Sequence, residues 1–151
     1  METGGYMALA IAEARAAAER GEVPVGAVLV GTDGAVLASA GNRTRELADP
    51  TAHAEMLVIR TGTALLGSER LIGCDIYVTL EPCPMCAAAI SFARLRRLYY
   101  GASDPKSGGV ESGPRIFTQA TCHHAPEVYS GIAEQESAEV LRAFFAARRS
   151  P

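Results

Sequence analysis

The 151-residue sequence has no tryptophan, and its only lysine is Lys106; the other 13 of its 14 basic residues are arginines. It has no excess of positive charge either: 17 acidic residues leave a net charge of −3. Attraction of a polyanion by the whole surface is therefore excluded, and any nucleic-acid contact must rest on a local basic patch. No run approaches the eighteen or so apolar residues that a membrane span requires, so no membrane association is expected. The fifteen glycines and eight prolines follow no repeat period, which excludes collagen-like and solenoid architectures. The start, Met1 to Gly5, has no cationic segment, and Glu13 and Arg15 interrupt the apolar stretch from Tyr6 to Ala12. No secretory signal is expected, and the expected compartment is the cytoplasm. In that reducing setting Cys74, Cys83, Cys86 and Cys122 are not expected to form disulfides, and a close pair points to metal or redox chemistry.

What is present is ordinary globular material, 48% hydrophobic and 21% charged. The length suits a single domain spanning 1–151, which can bury roughly two-thirds of its unfolded surface. Met7, Ile11, Ala14 and Ala18 recur at helical spacing, with Gly21 as a stop. Val25 to Val30 and Ala35 to Ala40 flank the turn chemistry of Gly31-Thr32-Asp33-Gly34 and read as a β-hairpin. Asp49-Pro50-Thr51 is expected to open a second helix running to about Leu66, capped by Asp49 or Thr51. Ile76 to Leu80 reads as a strand, Pro84 to Arg94 as a helix and Arg97 to Tyr100 as a strand. A Gly- and Ser-rich loop spans Ser103 to Pro114. A fifth strand is expected at Glu127 to Tyr129. A last helix, about Glu134 to Arg149, carries Ala138, Leu141 and Phe145 on one side. A hairpin followed by alternating strands and helices predicts an α/β fold, a three-layer α/β/α domain with a five-stranded mixed sheet.

Two short runs carry chemistry: His53-Ala54-Glu55 and Pro82-Cys83-Pro84-Met85-Cys86. With Pro84 beginning a helix, both thiols fall near its positive N-terminus, which favours thiolates. Two thiolates and an imidazole suit Zn2+ rather than magnesium or calcium. Three protein ligands leave a fourth position open, the mark of a catalytic site. Glu55, two residues from His53, does not share its helical face and is placed beside the metal rather than on it. Taken singly, Cys-x-x-Cys also fits a structural zinc half-site or a redox pair. Cys122-His123-His124 offers a way to close such a structural site, and Cys74 reads as a small buried hydrophobe.

His-x-Glu followed by Pro-Cys-x-x-Cys is, however, the pattern of zinc nucleobase deaminases. The chain closely resembles bacterial tRNA-specific adenosine deaminases, within the cytidine deaminase-like superfamily. The likeness runs from Val23-Pro24-Val25-Gly26-Ala27-Val28 to Phe144-Phe145. It is carried by Gly41-Asn42-Arg43, the run Asp49 to Glu55, the run Tyr77 to Cys86, and Tyr100 to Lys106. The zinc pattern belongs to the whole superfamily; the Asp49 to Glu55 run and the Asp104-Pro105-Lys106 loop favour the tRNA-acting branch.

This resemblance implies that His53, Cys83 and Cys86 bind zinc and that Glu55 moves protons. In it, hydroxide attacks C6 of the wobble adenine of a tRNA anticodon loop. Glu55 passes a proton to N1 and then to the departing amino group, leaving inosine. It further implies that Asn42 and the backbone N–H groups of Ala54 and Cys83 hold the flipped base. Asp104 and Lys106 lie where flanking loop nucleotides are held. Arg148 and Arg149 match a basic C-terminal helix that touches RNA, although arginines also suit a solvated helix end. The family forms homodimers, and the same is expected here. Glu81 matches the family motif and is read as structural, accepting backbone N–H groups near the third helix. Arg94, Arg96 and Arg97 fit either RNA contacts or a dimer interface. Pro105 before Lys106 and the Cys122-His123-His124 run depart from the common pattern, outside the metal set. Two other functions share parts of the pattern: deamination of a free base or nucleotide such as cytosine, guanine or dCMP, and a structural zinc module without chemistry.

Overall fold

The computed structural model describes residues 1–149. Chain order is α1 (Thr3–Glu19), β1 (Gly26–Val30), β2 (Val36–Gly41), α2 (Ala54–Leu66), β3 (Asp75–Leu80), α3 (Pro84–Phe92), β4 (Arg97–Ala102), β5 (Glu127–Tyr129) and α4 (Glu134–Arg149), with a single 3-10 turn at Ile116–Thr118. The five strands form one mixed sheet in the order β2-β1-β3-β4-β5. β1 runs antiparallel to both β2 and β3, whereas β3, β4 and β5 are mutually parallel. Helices cover both faces, α1 and α4 on one and α2 and α3 on the other, so the expected three-layer fold is the observed one.

Burial explains the layering. Every residue of β1 is buried, as a central strand with helices on both faces requires. Ala27, Leu29, Ile76 and Val78 pack with Ala54, Val58, Ala87 and Ile90 of α2 and α3. Val28, Val30 and Tyr77 meet Tyr6, Met7, Ala10 and Ile11 of α1. α1 lies so close to β1 that a Cβ on Gly26 would fall 1.9 Å from the Ala10 carbonyl oxygen. A tyrosine ladder, Tyr6–Tyr77–Tyr99–Tyr129, crosses the same face with ring centroids 4.4 to 5.1 Å apart.

Several boundaries differ from the sequence expectation, each for a local reason. The second helix does not open at Asp49-Pro50-Thr51. Asp49 Oδ1 accepts the Thr51 N–H at 2.8 Å and its hydroxyl at 2.7 Å, closing a turn instead. α2 begins at Ala54, so His53 is its N-cap, in extended conformation, and not a first-turn residue. α3 stops at Phe92 because Arg94 takes a left-handed φ of 59°. β4 continues to Ala102, paired with Leu80. On α4 the buried stripe is displaced from the expected one: Ser137 is buried and Val140 packs on the core, while Phe145 is 43% exposed. Among the described residues no helix is long and apolar enough to cross a membrane.

Candidate active site

Two helix N-termini converge at the carboxyl end of β3. His53 is the N-cap of α2 and Cys83 the N-cap of α3. Pro84 takes the first helical position, which places Cys86 in the first turn. His53 Nδ1 stands 3.5 Å from Cys83 Sγ and 3.4 Å from Cys86 Sγ. Ligands of a tetrahedral zinc, at about 2.05 Å for nitrogen and 2.3 Å for sulfur, stand about 3.5 Å apart. The three side chains are thus spaced as the donor set of one zinc ion, and the soft sulfur and imidazole chemistry agrees. Among the described residues this is the only cluster of its kind.

The electrostatics suit a cation. The hydrogen bond from Cys86, reinforced by His53, draws the Cys83 thiol down to about 4 against the opposing effect of burial. Cys86 is pushed up by its hydrogen bond to Cys83 and then by burial. Metal ligation requires both sulfurs as thiolates, so loading the site is coupled to proton release. Glu55 is 4% exposed, and burial pushes its carboxyl up to about 7 although the His53 charge opposes this. A carboxyl that trades its proton near neutrality is suited to general acid–base work.

His53, Glu55 and Cys83 line a cavity of about 240 Å³, which they share with Val23, Val25, Asn42, Thr44, Leu80, Glu81, Asp104 and Ser107. Val23, Leu80, Asp104 and Ser107 also line a wider groove of about 780 Å³ with Lys106, Leu141, Arg142, Phe145 and Arg148. The second groove continues the first toward α4.

The other residues expected at the site fall in several places. Asn42 is 8% exposed, and its Oδ1 accepts the Ala54 N–H at 2.8 Å. The Ala54 amide, expected beside the substrate, thus has Asn42 as its acceptor in this structure. Asp104 Oδ1 accepts the N–H groups of Lys106 and Ser107 and so shapes the turn that presents Lys106. Arg148 lies over the Phe144 ring and donates to the Gly21 carbonyl at 2.8 Å. The side chain of Arg149 lies outside the described residues. Arg96 binds Asp75 in bidentate fashion and Arg97 binds Glu127, so both have structural partners. The Cys122-His123-His124 run is remote from the zinc set. His124 Nε2 bonds the Leu95 carbonyl at 2.7 Å, and Cys122 Sγ lies 3.2 Å from the His124 carbonyl.

Glu81 is structural as expected, and its partners lie in the loop that packs against the start of α3. Its carboxylate accepts the N–H groups of Asp104, Val110, Glu111 and Ser112 and the Ser112 hydroxyl, at 2.9 to 3.1 Å. One buried carboxylate thus holds a loop with no regular structure. Burial raises its pKa, but the N–H bonds outweigh this and hold it below the usual value. Replacing Glu81 with glutamine turns an acceptor into a donor facing N–H groups, and should cost about 2–3 kcal/mol. The contribution is complete above the unfolded-state pKa of about 4.3 and is lost as pH falls through the lower folded value. Thermal melts should therefore separate wild type from Glu81→Gln at pH 7, with the gap narrowing in acid.

The sequence reading missed Glu22 and Thr44. A lone glutamate after a helix gives no signal of its role, and neither residue belongs to a metal or catalytic pattern.

Residues 2–102 match the family model for the cytidine and deoxycytidylate deaminase zinc-binding region. A tRNA-specific adenosine deaminase of Agrobacterium fabrum is 69% identical over 144 residues, covering 95% of this chain and 94% of that protein. The chain belongs to the family of tRNA-specific adenosine deaminases. A solved structure from a study of A-to-I editing by tRNA:A34 deaminases at the wobble position of transfer RNA superposes with a TM-score of 0.89. It is 70% identical and covers 91% of this chain and 99% of its own. A guanine deaminase from Nitrosomonas europaea shares the fold, with a TM-score of 0.83 at 20% identity over 96% of this deaminase and 85% of that chain.

Proposed function

We propose that this chain is a zinc-dependent hydrolase that converts the wobble adenosine of a tRNA anticodon loop to inosine. One observation carries the reading. In a chain related over nearly its whole length to tRNA-specific adenosine deaminases, His53, Cys83 and Cys86 stand at zinc-ligand spacing with the buried Glu55 carboxyl beside them. A purely structural zinc site needs no such carboxyl, and Cys122 and His124 are engaged elsewhere.

In this reading His53, Cys83 and Cys86 hold the zinc. Bound zinc supplies hydroxide at neutral pH, because it lowers the pKa of water to about 7. Glu55 takes the proton that the attacking water gives up and delivers it to N1 of the purine. As the bond from C6 to the amino nitrogen breaks, Glu55 takes the proton of the new C6 hydroxyl and passes it to that nitrogen, so that ammonia leaves and a carbonyl remains. Water and adenosine thus become inosine and ammonia, with no redox change. Asn42 presents Nδ2 to the base, since its Oδ1 is already committed to Ala54. Asp104 and Lys106 hold the nucleotides that flank the target, and Arg148 and Arg149 meet the backbone of the stem-loop. Such a site reads a base flipped out of an unpaired loop.

The chain acts, on this proposal, as a single domain over 1–151, in the cytoplasm and as a homodimer. Phe92, 75% exposed at the end of α3, supports an apolar contact between copies.

The test is ammonia release and inosine formation in an anticodon stem-loop, set against free cytosine, guanine and dCMP. Turnover of the stem-loop alone is expected. Efficient turnover of a free base or nucleotide, with none of the stem-loop, overturns the reading.

A further inference from the structure

The wall of the small cavity that carries Asn42 and Thr44 has no helix or strand to stiffen it: residues 42–53 are turns and coil. Its position is set from the end of α1. Glu22 is 1% exposed. Its Oε1 accepts the Arg45 N–H at 3.1 Å and the Thr44 hydroxyl at 3.4 Å, and its Oε2 accepts the Glu46 N–H at 2.8 Å. Among the described residues no salt bridge includes Glu22. A buried carboxylate without an ion-pair partner is tolerated only when donors surround it. Here the donors are the loop itself, so the loop must wrap the carboxylate.

The residues on either side of Glu22 add to the grip. Arg20 Nη2 donates to the Asn42 carbonyl at 3.1 Å, and the Gly21 carbonyl accepts Arg45 Nη1 at 3.3 Å. Val23 forms part of the cavity wall next to Asn42 and Thr44. The zinc ligands, by contrast, belong to the N-termini of α2 and α3.

We propose that Glu22 is a positioning residue that sets the Asn42–Thr44 wall and thereby the fit of the purine, while taking no part in the chemistry. The inference rests on the deaminase reading above. Asn42 and Thr44 would meet the base alike in the ground and transition states. Loss of their placement therefore raises KM and leaves kcat in place.

Glu22→Gln keeps the volume and replaces one acceptor with a donor that opposes an N–H. In the zinc-loaded full chain, KM for the stem-loop is expected to rise about tenfold, on the scale of one well-made hydrogen bond. kcat is expected to stay within about twofold, with the zinc content unchanged. Preference for adenosine over cytidine at the target position of the stem-loop should fall as well. A second variant, Arg20→Met, removes the hydrogen bond to the Asn42 carbonyl together with the positive charge near Glu22 and Glu46, and should raise KM in the same sense. It decides the matter by the same criteria if Glu22→Gln does not accumulate folded. A fall in melting temperature with KM and selectivity unchanged, or a loss of kcat at constant KM, overturns the proposal. Failure of the deaminase reading looks different: wild type itself would form no inosine.

Discussion

Replacing Glu55 with alanine is expected to abolish inosine formation while leaving one zinc per chain in place. Glu55 lies in the first turn of α2, one residue beyond Ala54 and two beyond the His53 N-cap, so it shares the metal's surroundings without being part of the donor set. Burial pushes its carboxyl up to about 7, against the lowering effect of His53 and Cys86. One group must remove a proton from water, place it on the ring and then protonate the leaving nitrogen. A single positioned proton transfer is worth about 10²–10⁴ in rate, and a group that serves several steps should lose at least that much. Glu55→Gln keeps the shape and separates proton transfer from packing. It should melt no lower than wild type, because it removes a carboxyl whose desolvation is unfavourable. Metal analysis and single-turnover inosine formation on the same samples check the prediction. Near-normal turnover in either variant would remove Glu55 from the mechanism.

The second large effect is the joint loss of metal and activity in Cys86→Ala. Cys86 is fully buried in the first turn of α3, and the other two donor atoms stand at the spacing of a shared ion. A site reduced to one thiolate and one imidazole should not retain zinc through dialysis. The variant also loses the stabilisation that ligand binding confers, about 4 kcal/mol when free zinc stands at 1,000 times Kd. Its melting temperature should therefore match that of chelator-treated wild type. Cys122→Ala and His124→Ala should keep both zinc and turnover, since their contacts are to the Leu95 and His124 carbonyls and to Ser91. Zinc loss in either, as complete as in Cys86→Ala, would mean a closed structural site in place of an open catalytic one.

Much of this was legible in the sequence, because it depends on local order. Strand and helix periodicity determined the α/β/α alternation. Cys83-Pro84-Met85-Cys86 determined that two thiols stand at a helix start, since Pro84 can begin a helix but not continue one. His53-Ala54-Glu55 paired an imidazole with a carboxyl that does not share its face. Other features depended on partners far along the chain. Only the tertiary structure decided that Asp49 closes a turn and leaves His53 as an N-cap, and that the Ala54 amide goes to Asn42, twelve residues away. The same holds for two of the buried glutamates, Glu22 and Glu81, which hold the coil loops lining the cavity. A lone glutamate in a sequence is by default a solvated charge. It becomes an anchor only when folding removes water from it and the only available donors are the N–H groups of a loop that has no strand or helix to pair with.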